Sequence, residues 1–234
     1  GTIWEGRNLH DLYSEAYTPW EWHEQLFAVA KEEGLECFSS PFDPTSVELL
    51  EKLNVPAYKI ASFEITDIPL IELVASKGKP IIISTGIAEL EDIELAIEAC
   101  ERMGNENIAI LKCTSSYPAP IEEANMIMVK DFAERFNMIV GLSDHTIGST
   151  VPVVATCFGA RIIEKHFILD RSIGGPDASF SMNEAEFTEM VKAVREAEKA
   201  IGKVDYNLTD KQKKGKDFSR SLYIVEDIAE GEVL

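Results

Sequence analysis

His145 and His166 are the residues whose type and spacing first point to chemistry. Each ends an apolar, strand-like run, "IVGLSDH" (139–145) and "RIIEKHF" (161–167), and they lie 21 positions apart. That spacing is one strand–helix unit, which puts the two imidazoles on neighbouring strands. Neighbouring imidazoles facing a polar cavity are good ligands for a divalent metal such as manganese or zinc. The competing reading is a pair of core histidines, each satisfied by a backbone carbonyl. On the residues alone both stay open, although Asp144 and Glu164 alongside favour an ionic site. A strand that only filled a core would not finish with Glu164, Lys165 and His166.

Lys59, Lys112 and Lys165 also fall within strand-like runs. Buried lysines are rare unless paired or functional. With nearby hydroxyls they can cradle a phosphate and a carboxylate. They can instead form internal salt bridges, with Glu64 and Glu164 as partners. A Schiff base on Lys59 or Lys112, the chemistry of an aldolase, is a third use. Hydroxyls gather at the same ends: Ser39 and Ser40, Ser62, Ser84 and Thr85, Thr114 to Ser116, and Ser143. Their convergence suits a polyhydroxylated or phosphorylated ligand, which a non-catalytic sugar-binding barrel would also hold. "GGPD" (174–177) reads as a glycine loop or turn ending in Asp177. In "YTPWEWH" (17–23) the aromatics are assigned to core packing in preference to stacking on a sugar.

These groups must be positioned by regular elements. Four more apolar runs precede the two above: "ECFSSPF" (36–42), "AYKIASFE" (57–64), "PIIISTG" (80–86) and "AILKCTSS" (109–116). Each has the length of a strand buried on both faces. Amphipathic helical patterns lie between them. Thr18-Pro19 and Asp43-Pro44 each set a cap residue before a first-turn proline. Residues 184–202 carry a stripe of Phe187, Met190, Val191, Val194 and Ala197. Strand–helix alternation predicts a parallel sheet with right-handed crossovers. The lack of a GxGxxG or P-loop motif weakens an open doubly wound sheet. Polar residues at the C-terminal strand ends favour a TIM (β/α)8 barrel, which builds its active site there. The expected organisation is a partial TIM barrel over 1–202 (strands 3–8, with the first two outside the chain), a linker over 203–220, and the start of a further module over 221–234.

Composition bounds the partners. The 234 residues are 45% hydrophobic and 27% charged, enough for one domain with a sizeable core. A net charge of −19 argues against nucleic acid and anionic membranes, though not against a small anion in a local basic pocket. Cys37, Cys100, Cys113 and Cys157 show neither CxxC nor zinc spacing. A reduced, cytoplasmic compartment is the expectation, with Cys37 and Cys113 acting as small buried hydrophobes. No signal peptide and no bilayer-length apolar run is present.

The segments "KIASFE", "STGIA", "KCTSSYPAP", "GLSDHT", "EKHF" and "GGPDASFS" resemble the sialic acid synthase family, over nearly the whole chain. "GRNLHDLYSEAYTPWEWH" is similar to its pseudaminic acid synthase branch. "SRSLYIVEDIAEGEVL" is similar to the start of the family's antifreeze-like (SAF) domain. The resemblance implies a TIM barrel that condenses phosphoenolpyruvate with an acylamino sugar. In that branch the sugar is a 2,4-diacetamido-2,4,6-trideoxy-altrose, and pseudaminic acid and phosphate are the products. N-acetylneuraminate or legionaminate synthesis is the alternative within the family. It further implies a divalent metal, typically manganese, and a domain-swapped homodimer. Carried over by position, the metal ligands are His145 and His166. The phosphoenolpyruvate contacts are Lys59 and Ser62, with Ser40, Ser115 and Ser143. The carboxylate near the reacting centre is Glu64, and the sugar contacts are Tyr117 and Asp177. Ser40 and Ser115 depart from sialic acid synthases proper, where threonine and asparagine are common. The first two strands and an arginine from the antifreeze-like domain would lie outside the chain, so the 234 residues alone are expected not to turn over.

Overall fold

Short runs of β-branched residues form the sheet. The computed structural model describes residues 8–233. Its strands are β1 (Tyr58–Ile60), β2 (Ile81–Ser84), β3 (Ile108–Cys113), β4 (Ile139–Asp144) and β5 (Ile162–Lys165). All pair in parallel, in the order β1-β2-β3-β4-β5. Consecutive strands are therefore neighbours, and each parallel step needs a crossover. The crossovers are helices α4 (Ile68–Ala75), α5 (Leu90–Arg102), α6 (Ile127–Phe136) and α7 (Thr150–Cys157). Before β1 come α1 (Leu9–Ala16), α2 (His23–Glu32) and α3 (Pro44–Lys52); α8 (Glu184–Ile201) follows β5.

Local chemistry starts and stops these helices. Asp43 caps α3 in a reciprocal capping box with Ser46, and Pro44 takes the first helical position. Glu89 and Asp92 do the same for α5. Asn137 ends α6 in the left-handed conformation, φ 52°. Each helix then turns its apolar stripe to the sheet. Val47 and Leu50, Ile71 and Val74, Ile93, Ile97 and Cys100, Val129 and Phe132, and Val151 and Ala155 pack on Ile60, Ile81, Ile83, Ile110, Val140 and Leu142. Each fully buried Ile or Leu contributes about 1.5–3 kcal/mol relative to exposure. Gly141 allows β4 to lie close to β5: a Cβ there would run into the carbonyl of Ile162.

Several expectations need correction. The run at 36–42 is not a strand; it makes a single bridge, Ser39 to Tyr58, with a long 3.4 Å bond from Lys59 N–H to Ser39 O. Phe38 and Phe42 remain exposed, and the three-residue β1 offers little edge to pair with. β5 is not buried on both faces; among the described strands it pairs with β4 alone, and all four of its residues are half-buried. Pro19 precedes a 3-10 turn (Trp20–Trp22) instead of opening an α-helix. Trp20 and Trp22 are 48% and 58% exposed, so they do not fill the core. In the same segment His23 is buried, beside Phe27 and the carbonyl of Pro19. Along α8, Met190 is buried but Val191 is exposed. Cys37 is only half-buried, whereas Cys113 is buried as expected.

The chain divides into two units, 1–201 and 202–234. In the second, residues 203–220 are not only a linker. They hold α9 (Asp210–Lys216), nucleated by a capping box between Thr209 and Gln212. Beyond it the described residues form no strand, and every described side chain from 202 on is exposed.

Candidate functional site

The C-terminal ends of β1 to β5 carry the polar groups, and the parallel register brings them together. Ser143 is paired with Glu164 across β4 and β5, and its hydroxyl donates to Glu164 Oε1 at 2.5 Å. Lys59 extends from buried β1; its ammonium donates to the Ile60 carbonyl at 3.0 Å and lies 3.8 Å from Glu164 Oε2. Burial pushes the Lys59 pKa down, and the Glu164 carboxylate opposes that shift. Ser62 Oγ and Ser115 Oγ, 53 residues apart in sequence, are 2.9 Å apart in space. The Ile87 N–H also donates to Ser62 Oγ. Gly86 makes this meeting possible: a Cβ there would collide with Ser115 Oγ and come within 2.7 Å of Ser62 Oγ and 2.8 Å of Cys113 Sγ.

The two histidines meet as their spacing predicts, with ring centroids 5.2 Å apart. His145 Nδ1 lies 3.0 Å from the Thr114 carbonyl, which fixes the proton on that nitrogen and leaves Nε2 as an acceptor. Burial holds the His145 pKa down, so the imidazole is neutral at neutral pH. His166 Nδ1 lies 3.4 Å from Asp177 Oδ2. The backbone of "GGPDASFS" is tied to the end of β5 by Met182 N–H to His166 O (2.9 Å) and Ile168 N–H to Met182 O (2.8 Å). This pairing delivers Asp177 to the site and Phe180 with it. Phe180 is 3% exposed and packs on His166 (4.9 Å), Tyr117 (5.6 Å) and His145 (6.4 Å). Tyr117 stacks at a tilt on His145 at 4.4 Å, and burial pushes its pKa up to about 12.

Glu64 sits in the 3-10 turn after β1. Its Oε2 is buried without a hydrogen-bond partner, and burial pushes its pKa up, partly offset by Lys59. Ser84 Oγ, at the end of β2, is likewise buried and unpartnered. Such orphaned polar atoms await a ligand or a water. Ser40 is half-buried just beyond the Ser39 bridge, and among the described residues no hydrogen bond ties it to the cluster.

The lysines divide between their two readings. Lys165 forms an internal ion pair with Asp144 at 2.6 Å, away from the Glu64 and Glu164 partners expected from sequence. Lys112 donates to the Cys113 carbonyl (2.6 Å) and Thr114 Oγ1 (3.2 Å). A surface concavity of about 600 Å³ lies instead beside Leu169, Arg171, Asn183 and Thr188. The polar cluster is the better candidate, because orphaned and pKa-shifted groups converge there.

Residues 1–206 match the NeuB family. The chain belongs to that family. Over its full length it is 48% identical to the pseudaminic acid synthase of Helicobacter pylori and spans 69% of that protein. It is 46% identical, again over its full length, to the pseudaminic acid synthase of Campylobacter jejuni serotype O:23/36, spanning 68% of it. Among solved structures, the N-acetylneuraminic acid synthetase of Leptospira borgpetersenii, in complex with citrate, superposes with a TM-score of 0.83. It is 27% identical, and the match covers 92% of this chain and 75% of that one. The five-stranded parallel sheet thus curls as a half-barrel of the kind in this family. Phe180 and the steric role of Gly86 are what sequence reasoning left out; Ser84 was already among the strand-end hydroxyls. For Phe180 no periodicity marks it; its only signal is membership of the "GGPDASFS" segment.

Proposed function

We propose that this protein condenses phosphoenolpyruvate with 2,4-diacetamido-2,4,6-trideoxy-altrose to give pseudaminic acid and phosphate. The relatives named pseudaminic acid synthase, at 46–48% identity over the whole chain, support the substrate pair. The observation in the site that carries the reading is the histidine pair: centroids 5.2 Å apart, each Nδ1 facing an acceptor. That donor set fits a divalent metal, for which this reading takes manganese. Among the described residues no group of three or more His, Cys, Asp or Glu is arranged to hold one, so the protein would supply two nitrogens and leave the other positions to water and substrate. A metal held there by His145 and His166 would act as a Lewis acid toward the sugar aldehyde.

The chain's own residues supply the rest. Lys59, with Ser62, Ser115 and Ser143, offers a cation and hydroxyls to the phosphate and carboxylate of phosphoenolpyruvate. Ser84, through its orphaned hydroxyl, joins them, and Ser40 stands at the same end of the sheet. Glu64, its pKa raised by burial, is the proton-handling carboxyl of this reading. Tyr117, Phe180 and Asp177 wall the sugar side. The enol carbon attacks the aldehyde, water attacks the resulting oxocarbenium-like carbon, and phosphate leaves by carbon–oxygen cleavage. The reading includes a closed (β/α)8 barrel and a homodimer working in the cytoplasm on a surface-glycan precursor. No helix among the described residues is long and apolar enough to cross a membrane.

The test is phosphate release from the protein with manganese, phosphoenolpyruvate and a panel of diacetamido sugars. Release with the altrose-configured sugar, abolished by a chelator, is expected. Turnover that survives chelation and is trapped by borohydride would establish a Schiff-base aldolase in its place.

A further inference from the structure

Asp144 and Lys165 immediately precede the two histidines, and they are register partners across β4 and β5. Both side chains are 1% exposed, and the ammonium lies 2.6 Å from Asp144 Oδ2. The same ammonium donates to the carbonyls of Thr146 and, at 3.3 Å, Gly148. A lysine has three donors, and here all three are used within the protein. None is left for a substrate or a Schiff base. Thr146 closes the figure from the other side. Its N–H donates to Asp144 Oδ1 at 2.9 Å and its hydroxyl to Oδ2 at 3.1 Å. His145 is therefore held between two clamped residues, and His166 follows directly on the clamping lysine.

Burying a matched ion pair costs desolvation that its attraction only partly repays, so stability alone is weak grounds for it. Its geometric effect is clear: it sets how far β4 and β5 emerge relative to one another, at the point where both imidazoles begin. The geometry points to Lys165, Asp144 and Thr146 as positioning residues that set the separation of His145 and His166, and with it the affinity of the pair for a divalent cation. This rests on the two-histidine reading above.

The experiment compares the protein with an Asp144→Leu, Lys165→Met double variant, which replaces the ion pair by apolar groups, and with Thr146→Val, which removes one hydroxyl bond. Manganese affinity is read from the electron paramagnetic resonance of free Mn²⁺. The His145 Nδ1–H proton, protected by the Thr114 carbonyl, is read in the imidazole ¹⁵N spectrum without metal. The double variant should lose about 10-fold or more in affinity, the range seen when groups supporting a metal ligand are removed. Thr146→Val should lose less, both should lose the protected proton, and the KM for phosphoenolpyruvate should change less than about twofold. A folded variant with unchanged Mn²⁺ affinity and an intact proton signal overturns the proposal. If the double variant does not fold, Thr146→Val decides on the same two readouts. If His145→Ala binds Mn²⁺ as tightly as the parent protein, the two-histidine reading fails separately, and the proton signal alone then decides whether the clamp holds the ring.

Discussion

At the scale of single residues, the site separates groups that bind from groups that hold others in place. Replacing both His145 and His166 with Ala should lower phosphate release by more than about 100-fold, beyond the usual loss for a supporting residue, with an unchanged circular dichroism spectrum. Full activity in that variant would remove the metal from the mechanism. Lys59→Ala should raise the KM for phosphoenolpyruvate about 10-fold or more, since about 1.4 kcal/mol is tenfold and one hydrogen bond to a charged group contributes about 1.5–3 kcal/mol. The KM for the sugar should hardly move; an equal rise in both would make Lys59 a structural lysine. Glu64 predicts a pH effect. Burial raises its pKa above the ordinary 4.5, so the folded state holds the proton more tightly than the unfolded one. The stability it contributes is present below pH 4.5 and is lost as pH rises through the folded pKa. Glu64→Gln should therefore gain stability over the parent at pH 7 but not at pH 4. Equal differences in urea midpoint at the two pH values would show that the carboxyl is not desolvated.

At the scale of elements, the strand ends matter more than the strands. β1 has only three residues, yet it presents Lys59 and leads directly into Ser62 and Glu64. The turn after β2 must pass so close to β3 that residue 86 has no room for a side chain. Gly86→Ala should cost about 1–3 kcal/mol, the usual penalty of overpacking. It should also raise the KM for phosphoenolpyruvate, because Ser62 and Ser115 would be forced apart. A variant with the parent's thermal midpoint and KM would mean that the turn is looser than its geometry shows. The segment after β5 works in a comparable way. By pairing Met182 with the backbone of His166 and Ile168, it sets Asp177 and Phe180 against the imidazoles without being a strand of the sheet.

At the scale of the whole molecule, helices α3 to α7 and the sheet form one core within residues 1–201, and no described side chain beyond residue 201 is buried. In calorimetry the thermal midpoint of residues 1–201 should stay within about 2–4 °C of the parent, the shift that 1 kcal/mol produces in a chain of this size. A larger drop would show that the second unit stabilises the first. The acidic surface and the local basic group are compatible, because the charge nearest Lys59 is Glu164 at 3.8 Å, whereas solvent-exposed charges more than a Debye length apart are largely screened from one another.

Sequence alone determined the parallel strand–helix order, because periodicity and capping are local properties: Asp43-Pro44 started a helix, and β-branched runs became β2, β3 and β4. It also determined that His145 and His166 would be neighbours, since one strand–helix unit in parallel register fixes that separation. It failed where an element's state depends on what lies beside it. Residues 36–42 have strand composition but only one bridge, and Trp20 and Trp22 have core composition but stay exposed. Tertiary structure decided which lysine is spent. Lys165 and Lys59 look alike along the chain and both are paired, but the register opposite Asp144 locks the first at 2.6 Å, whereas the second keeps a loose 3.8 Å contact with Glu164 beside the cluster of hydroxyls. It also decided the place of Phe180, which reaches both histidines through a backbone pairing 16 residues away in sequence, between His166 and Met182. Contacts of that kind depend on where the chain returns in space, and local propensity does not encode them.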